Sequence, residues 1–317
     1  MSVSFHIKNK KKFFGYEKVL TVGEVVDLCK EYKLSIYNIN FNADDFNKEK
    51  FYNTSIESWQ ENHSCILFGV EGKSVRGFEF SYNTTKNSYV IREFIPASEN
   101  DWFIVLEFMK VLSEKLNSKI LSEQREIFTS GTINTYDYKS DIKSGIKAIL
   151  DLLNKENEKG FNVDNIYGIK RPVSFDKEII ERIVNSSDEI KEFSKFCENI
   201  QYIDAYSAKQ FFVDDKEHNK KWAYYVLIEN LRTVLPYKPN VEIFSMNYIK
   251  NEEVAFWKIF FCAYKVDENG EEGFDKIGES IYDDFIKRLP SNKYKFIDAS
   301  YIVVEPLNKD EILEILK

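Results

Sequence analysis

A period-two alternation of apolar and polar residues predicts the strands in the first third of the chain. Phe78, Phe80 and Tyr82 alternate with polar neighbours, and after the turn-rich break 83–88 the stretch 88–95 has the same character. This pattern predicts an antiparallel hairpin with one buried face. Further strands are expected at 3–7, 35–41 and 65–70.

A long apolar helix is predicted to follow the hairpin. Ser98 and Asp101 have the spacing of a capping box with Asp in place of Glu, so the helix should begin near Glu99. Large apolar residues then recur so densely that only a narrow polar stripe remains, which indicates packing on most sides. They are Trp102, Phe103, Ile104, Val105, Leu106, Phe108, Met109, Val111, Leu112 and Leu116. We expect this helix to cover a three-stranded meander and to form the core of the N-terminal half.

Helical spacing and capping residues predict six further helices. Thr21 and Glu24 form a second capping box, and Ser187 is the expected cap of a helix in the second half. The predicted helices span 22–33, 140–157, 175–184, 188–200, 279–289 and the residues from 308 onward.

The second half of the chain is strand-rich by the same criteria. Segment 256–266 is its clearest strand. Segment 222–228 fits a strand and also a helix, because Trp222, Tyr225 and Glu229 share a spacing of about 3.6 residues. The remaining predicted strands are 210–213, 241–249 and 299–304, with a turn at 267–273.

Length and composition indicate an α+β protein of two domains. The chain has 317 residues, of which 43% are hydrophobic, with only 12 Gly and 6 Pro, so it can bury a sizeable core. Gly160, Gly168 and Pro172 interrupt a charged stretch, which we take as the boundary. The prediction is an N-terminal α+β domain at 1–158, a linker at 159–172 and a C-terminal α+β domain at 173–317. Each domain is expected to be an antiparallel β-meander packed by amphipathic helices.

Charge and cysteine usage narrow the location and the partners. Lys and Arg number 44 and Asp and Glu 52, a net charge of −8, which argues against a general binder of nucleic acid or anionic membranes. Cys29, Cys65, Cys197 and Cys262 are scattered, as expected of reduced thiols. The N-terminus lacks the long apolar stretch of a signal peptide. A cytoplasmic protein with no nucleic-acid partner and no membrane partner is therefore predicted.

Gly72-Lys73-Ser74 follows an apolar strand and invites comparison with a phosphate-binding loop. Such a loop needs another Gly where Leu67 stands, and it needs a helix after it, whereas the following residues alternate as a strand. A hairpin turn is predicted instead.

The acidic turn that starts at Glu268 resembles a calcium-binding loop in part. Gly273 and Glu279 fall at the loop positions that require Gly and a bidentate Glu. Gly270, however, stands where a calcium ligand is required, and the preceding segment is a predicted strand. A solvated hairpin tip is the preferred interpretation.

Asp214, Asp215 and His218 form a cluster whose residue types suit acid–base chemistry or a metal ion. The stretch is so hydrophilic that an exposed loop between strands is the preferred interpretation. His6 and His63 lie far away in sequence. We predict no metal site, no catalytic residue and no cofactor.

A basic patch that carries aromatic residues lies near the N-terminus. Its residues are Lys8, Lys10, Lys11, Lys12, Phe13, Phe14 and Lys18. Such a patch suits contact with phosphates or with a lipid surface. Charged residues that protect an exposed strand end from aggregation are the more frequent explanation, and the sequence favours it.

Several short segments carry a family resemblance. They are 4–10 with Phe14-Gly15, Tyr89-Val90-Ile91-Arg92 to Phe94 with Pro96, Asp101-Trp102, and Leu116-Asn117-Ser118. Together they resemble an uncharacterised bacterial family, domain of unknown function 4299, over nearly the whole chain. The resemblance implies a stand-alone protein with no assigned activity or site, so it transfers no catalytic residue.

Aromatic residues are the remaining signal, with 26 Phe, 19 Tyr and 4 Trp. Tyr and Trp dominate protein-binding hot spots, so a surplus beyond the needs of the core suggests a partner surface. The leading hypothesis is a non-enzymatic interaction or regulatory protein with a protein partner. The alternatives are an enzyme with a cleft between the halves lined by carboxylates and Tyr, or a small-ligand sensor with an apolar pocket.

Overall fold

The chain combines helices with largely antiparallel sheets, which confirms the predicted α+β class. The structure is a computed structural model that describes residues 1–41, 43, 46–61, 63–156, 163–215, 220–241, 249–266 and 270–317. Parts of the predicted linker, of the strand at 241–249 and of the turn at 267–273 lie outside these residues. Contacts divide the chain into two units, Met1–Tyr202 and Ile203–Lys317.

A seven-stranded antiparallel sheet forms the centre of the first unit, in the order β2-β3-β4-β5-β1-β6-β7. Its strands are β1 (Ser2–Lys8), β2 (Leu34–Ile36), β3 (Ile66–Val70), β4 (Phe78–Asn83), β5 (Ser88–Phe94), β6 (Ile120–Ser122) and β7 (Ile127–Phe128). The predicted meander β3-β4-β5 is confirmed. The sheet is wider than predicted because β1 pairs with β5 across more than eighty residues of sequence, a contact that no local pattern reveals.

Seven helices surround this sheet in the described part of the first unit. They are α1 (Val22–Leu28), α2 (Lys48–Asn53), α3 (Ile56–Gln60), α4 (Glu99–Leu116), α5 (Tyr138–Glu156), α6 (Lys177–Val184) and α7 (Glu189–Gln201), and a small hairpin of β8 (Asp164–Tyr167) and β9 (Pro172–Phe175) precedes α6. Among the described helices, none has both the length and the apolar character that a membrane span requires.

The capping residues set the helix boundaries. Both predicted capping boxes, at Thr21 and at Ser98, are formed. Helix α7 is capped by Asp188, one residue after the predicted Ser187, because the Asp188 carboxylate accepts the Lys191 N–H. Helix α1 ends at Leu28 and not near residue 33, since the backbone turns after Cys29.

Helix α4 lies against the central sheet and contributes to its core, as predicted. Trp102 is fully buried and stacks on Tyr136 at a centroid distance of 5.5 Å. Phe108 is also buried and contacts Phe78 at 4.9 Å. Phe103 departs from the prediction, because half of its surface (51%) stays exposed. The packed arc of α4 is therefore narrower than the apolar arc of its sequence.

Two four-stranded sheets form the second unit. One has the order β11-β12-β14-β15 and the other β10-β13-β17-β16. The strands are β10 (Tyr206–Ser207), β11 (Gln210–Asp215), β12 (Lys220–Ile228), β13 (Thr233–Pro236), β14 (Val254–Val266), β15 (Glu272–Ile281), β16 (Tyr294–Phe296) and β17 (Tyr301–Val304), and the helices are α8 (Tyr282–Arg288) and α9 (Lys309–Leu316).

Several predictions for the second unit are refined by these elements. Segment 222–228 is a strand, so the helical alternative does not apply. The helix expected at 279–289 begins at Tyr282, because β15, which was not predicted, continues through Ile281. The pairs β10–β13 and β12–β14 are parallel, a departure from the antiparallel meander.

The unit boundary seen in the contacts differs from the predicted linker. Helices α6 and α7 pack on α4 and α5, so they belong to the first unit by contact. The division at 159–172 remains a prediction about folding domains. That prediction was based on Gly, Pro and charged residues. Such residues indicate a loop, but they do not show which unit the helices after the loop pack against.

We predict that Gly145→Ala destabilises the protein although Ala favours helices. Gly145 lies in α5, and an added Cβ would come within 2.6 Å of the Pro96 nitrogen. We expect a loss of about 1–3 kcal/mol of unfolding free energy in urea titrations, in place of a gain of up to about 1 kcal/mol. The exposed neighbour Ser144→Ala serves as control and should change little. A more stable Gly145→Ala variant would contradict this packing.

Candidate functional site

One face of the sheet β11-β12-β14-β15 is lined by partly exposed aromatic side chains. The opposite face is sealed, because Tyr225 and Phe261 lie in a core cluster with residues of α8 and α9. Successive residues of a strand point to opposite faces, so the alternate positions form the open face. We call this open set the aromatic ladder, and its members are Phe211, Trp222, Tyr224, Phe256, Phe260, Tyr264 and Phe274.

A stack of side chains crosses all four strands of this sheet. Tyr224 stacks on Phe211 at a centroid distance of 5.0 Å and on Phe260 at 4.3 Å, with interplanar angles of 15° and 16°. The Nζ atom of Lys276 lies 4.2 Å from the Phe260 centroid and continues the stack onto β15. Because neighbouring strands are about 4.8 Å apart, rings stacked at this spacing stand upright with their faces against one another. The surface therefore presents ring edges.

Two lysines and one glutamate frame the ladder. The Lys258 Nζ lies 5.2 Å from the centroid of Trp222, and Trp222 stacks on Phe256 at 5.8 Å. Glu279 binds both cations, with a distance of 2.5 Å to Lys258 and a close ion pair to Lys276. Hydrogen bonds from these lysines lower the pKa of Glu279. The carboxylate thus holds both ammonium groups beside the rings.

Four members of the ladder are exposed, and Trp222, Tyr224 and Phe260 are half-buried. Phe211 and Phe256 are each 40% exposed, although both stack on a neighbouring ring. At the far end, Tyr264 and Phe274 face each other across β14 and β15 and are 50% and 58% exposed. Exposed apolar side chains that are contiguous, and not scattered singly, are the usual mark of an interaction surface.

A group of buried charged residues in the first unit is the second candidate. The Asp101 carboxylate accepts the backbone N–H groups of Val75, Arg76 and Gly77 at 3.0, 3.2 and 3.0 Å. It also accepts the N–H and the hydroxyl of Ser98. Burial raises the pKa of Asp101, and these donors oppose the rise. The carboxylate ties the β3–β4 loop to the first turn of α4.

Arg76 and Glu93 complete this group. The Arg76 guanidinium donates to the carbonyl of Pro96 at 2.9 Å and to that of Tyr167 at 3.1 Å. Glu93 is fully buried on β5. Burial, and next the negative charge of Asp101, raise the pKa of Glu93 well above 4.5, while Arg76 acts in the opposite direction. The raised pKa of Glu93 favours its uncharged form, and the Arg76 charge is influenced by both carboxyl groups, Glu93 and Asp101.

The fold accounts for these perturbed carboxylates. Buried acids with raised pKa are a common signature of acid–base catalysis. Two of the surface grooves in the first unit, of about 530 and 380 Å³, are lined by other residues. The donors that Asp101 accepts from are backbone groups of the loop and the helix. We therefore assign this group to stability.

Two segments were compared with ligand-binding motifs. The first, 72–74, is a turn, and the described part of the second lies mainly in a strand. Gly72, Lys73 and Ser74 form the connection between β3 and β4, in which Gly72 has a φ of +78° and a strand follows. This is the predicted hairpin turn. Gly273 and Glu279 lie within β15, and Glu279 is bound to lysines. The start of the calcium-loop comparison, at 267–269, lies outside the described residues.

The acidic cluster is only partly described. Asp214 and Asp215 end strand β11, whereas His218 lies outside the described residues. His6 is in β1 and His63 precedes β3. Over the ranges that the structure covers, no three residues among His, Cys, Asp and Glu are grouped as a metal ion requires.

The ladder was not identified from the sequence, although a signal for it exists. Trp222 and Tyr224 alternate with the buried Ala223 and Tyr225, and both sets are apolar, so the pattern resembles a strand buried on both faces. Aromatic residues at every second position of two predicted strands would have been the signal. The register between strands, which brings the rings together, is absent from the sequence pattern.

Comparison with known proteins adds a family and no activity. A family model described as "Domain of unknown function (DUF4299)" matches residues 2–315. No curated protein and no solved structure matches the chain. The match confirms the resemblance inferred from the short segments.

We predict that Glu93→Gln flattens the dependence of stability on pH. The folded pKa of Glu93 lies above its ordinary 4.5, so the folded protein holds a proton that the unfolded chain releases as the pH rises. The unfolding free energy of the wild type should therefore fall as the pH rises above about 4.5, by about 1.4 kcal/mol more than that of the variant for each pH unit over which Glu93 keeps its proton in the folded protein. Urea titrations across this range measure the difference.

Glu114→Gln on the exposed side of α4 is the matched control, and its pH profile should follow that of the wild type. If Glu93→Gln follows the wild-type profile as well, Glu93 is ionised in the folded protein and the assignment is wrong.

Proposed function

The chain belongs to the family "Domain of unknown function (DUF4299)", and we propose that it is a non-enzymatic protein of the cytoplasm that binds a protein partner through the aromatic ladder. The carrying observation is a stack of aromatic rings across β11, β12 and β14 whose open face includes the exposed side chains of Phe211, Phe256, Tyr264 and Phe274. Tyr and Trp are the residues that most often form binding hot spots, and two Tyr and one Trp lie in the ladder. The four cysteines are thiols, the state that a reducing compartment maintains.

The orientation of the rings favours a protein over a single-stranded nucleic acid. Proteins that bind unpaired bases offer ring faces on which bases stack. In the ladder, Tyr224 has Phe211 and Phe260 against its two faces, and Lys276 lies over Phe260. The net charge of −8 also gives no general attraction for phosphates.

The chemistry of the exposed ring edges indicates which kind of partner surface the ladder would bind. Aromatic edges carry a positive partial charge, so they attract carboxylate and carbonyl oxygens as well as apolar groups. Lys258 and Lys276 lie beside the rings of Trp222 and Phe260 and share one carboxylate, Glu279, so the excess of positive charge is at this end of the ladder, whereas Glu272 is hydrogen-bonded to Tyr264 at the other end. The matching surface is apolar with acidic residues at its margin.

Site-specific photocrosslinking in cells tests the proposal. A photoreactive phenylalanine analogue at Phe256 should give a covalent adduct with one partner protein, and Trp222→Ala should weaken that adduct on the order of tenfold, as loss of a hot spot does. The matched control is the same analogue at Phe296, which is 52% exposed on the other sheet of this unit and should give no such adduct.

Three outcomes would contradict the proposal. Equal adducts at Phe256 and Phe296 would show unspecific contact, and an adduct with nucleic acid would identify a different class of partner. An adduct that Trp222→Ala leaves unchanged, in a variant that thermal unfolding shows to be folded, would place the binding surface elsewhere.

A further inference from the structure

The basic patch of the sequence forms a braced hairpin in the first unit, which we call the finger (residues 9–17). Lys11 and Tyr16 are paired across it, and the Lys12 N–H donates to the Gly15 carbonyl at 3.1 Å. Gly15 has a φ of +75°, which allows the tight turn. The turn leaves Phe13 and Phe14 at the tip.

The base of the finger is anchored to the central sheet. Asn9 is buried, and its backbone N–H donates to the Asn87 carbonyl at 2.9 Å in the β4–β5 turn. Its side chain donates to the Glu17 carbonyl at 2.8 Å, and the Glu17 carboxylate pairs with Lys10 at 3.4 Å. The tip is therefore held in place by bonds at its base.

The two phenylalanines at the tip are the most exposed large apolar residues among those described. Phe13 is 95% exposed and Phe14 is 85% exposed, and their rings contact only each other closely, at a centroid distance of 4.8 Å. Lysines that protect a strand end do not require two aromatic rings held in water. This pair is unexplained by the stability of the fold.

Lysines flank the finger. Lys11 and Lys12 are exposed close to the tip, and Lys8 and Lys18 are exposed where the finger joins the rest of the unit, whereas Lys10 is paired with Glu17. Lys8 and Lys11 line the groove of about 380 Å³ at the base of the finger. The whole chain carries a net charge of −8 and repels anions on average, whereas the finger concentrates positive charge at one end of the sheet.

The distance between the tip of the finger and the residues behind it fits one binding partner, the surface of an anionic phospholipid bilayer. At about 3.3 Å per residue, Lys11 and Tyr16 lie roughly 7 Å behind the tip. Interfacial segments bury their apolar groups to a depth of about 5–10 Å. Rings at the tip would thus reach the acyl boundary while Tyr16 and the lysines stay among the headgroup phosphates, the positions that these residue types occupy at membranes.

We propose that the finger docks the protein on anionic membrane surfaces by inserting Phe13 and Phe14 while Lys11 and Lys12 bind lipid phosphates. This departs from the expectation of no membrane partner, which rested on net charge. It is independent of the proposed partner binding, because the aromatic ladder lies in the second unit.

Flotation of the purified full chain with vesicles tests this docking. We expect binding to vesicles that mix phosphatidylcholine with phosphatidylglycerol, and little binding to pure phosphatidylcholine. The double variant Phe13→Ser/Phe14→Ser should lose on the order of tenfold in partitioning. Lys11→Gln/Lys12→Gln should reduce binding to the anionic vesicles and weaken its dependence on salt.

Phe296→Ser is the matched control, since it removes an exposed ring of the same size (52% exposed) from the second unit, outside the aromatic ladder, and should float like the wild type. The proposal is overturned if the wild type does not prefer the anionic vesicles, or if the Phe13/Phe14 double variant floats like the wild type. It is also overturned if that variant changes the sedimentation of lipid-free protein, because the finger would then contact a second copy of the chain.

Discussion

The first unit depends on the hydrogen bonds that the Asp101 side chain accepts. Three successive backbone N–H groups, at residues 75–77, point at it from the β3–β4 loop, and Ser98 binds it from the start of α4. A loop with buried N–H groups needs an acceptor for each of them. One side chain supplies it, and the same side chain caps the helix that carries Trp102. Sheet, loop and central helix are therefore fixed relative to one another by a single anion.

Local sequence signals predicted many helices and strands of the first unit. They did not predict which distant elements pair or pack together. The capping boxes at Thr21 and Ser98, and the alternation in β1, β4 and β5, involve residues close in sequence, so they can be read from the chain directly. The joining of β1 to β5 depends on residues far apart, as does the packing of α6 and α7 on the first unit. Sequence patterns specify faces and ends of elements, and neighbours are decided by the whole fold.

The same limit explains why the proposed interaction surface was foreseen only as a surplus of aromatic residues. Segment 256–266 was predicted as a strand and 222–228 as a strand or a helix, and both faces of these strands are apolar, a pattern that resembles a strand buried on both sides. The stack depends on the parallel register of β12 and β14, in which Tyr224 lies opposite Lys258 and its ring stacks on Phe260, two residues further along β14. The finger is the converse case. Its Phe and Lys residues are adjacent in sequence, so its composition was evident. The hydrogen bonds and the ion pair that hold its base were not evident from the sequence.

Strand β15 forms one edge of the ladder sheet, and its sequence has a consequence for how that sheet can associate. An edge strand offers unpaired backbone groups to any other strand, and an aromatic sheet with open edges is prone to aggregate. Glu272, Asp275, Lys276 and Glu279 place charges along β15, and β11 at the other edge ends in two aspartates. Both edges therefore discourage the addition of a strand. A partner can contact the side chains on the face of this sheet, whereas the charged edge strands disfavour pairing with a further strand.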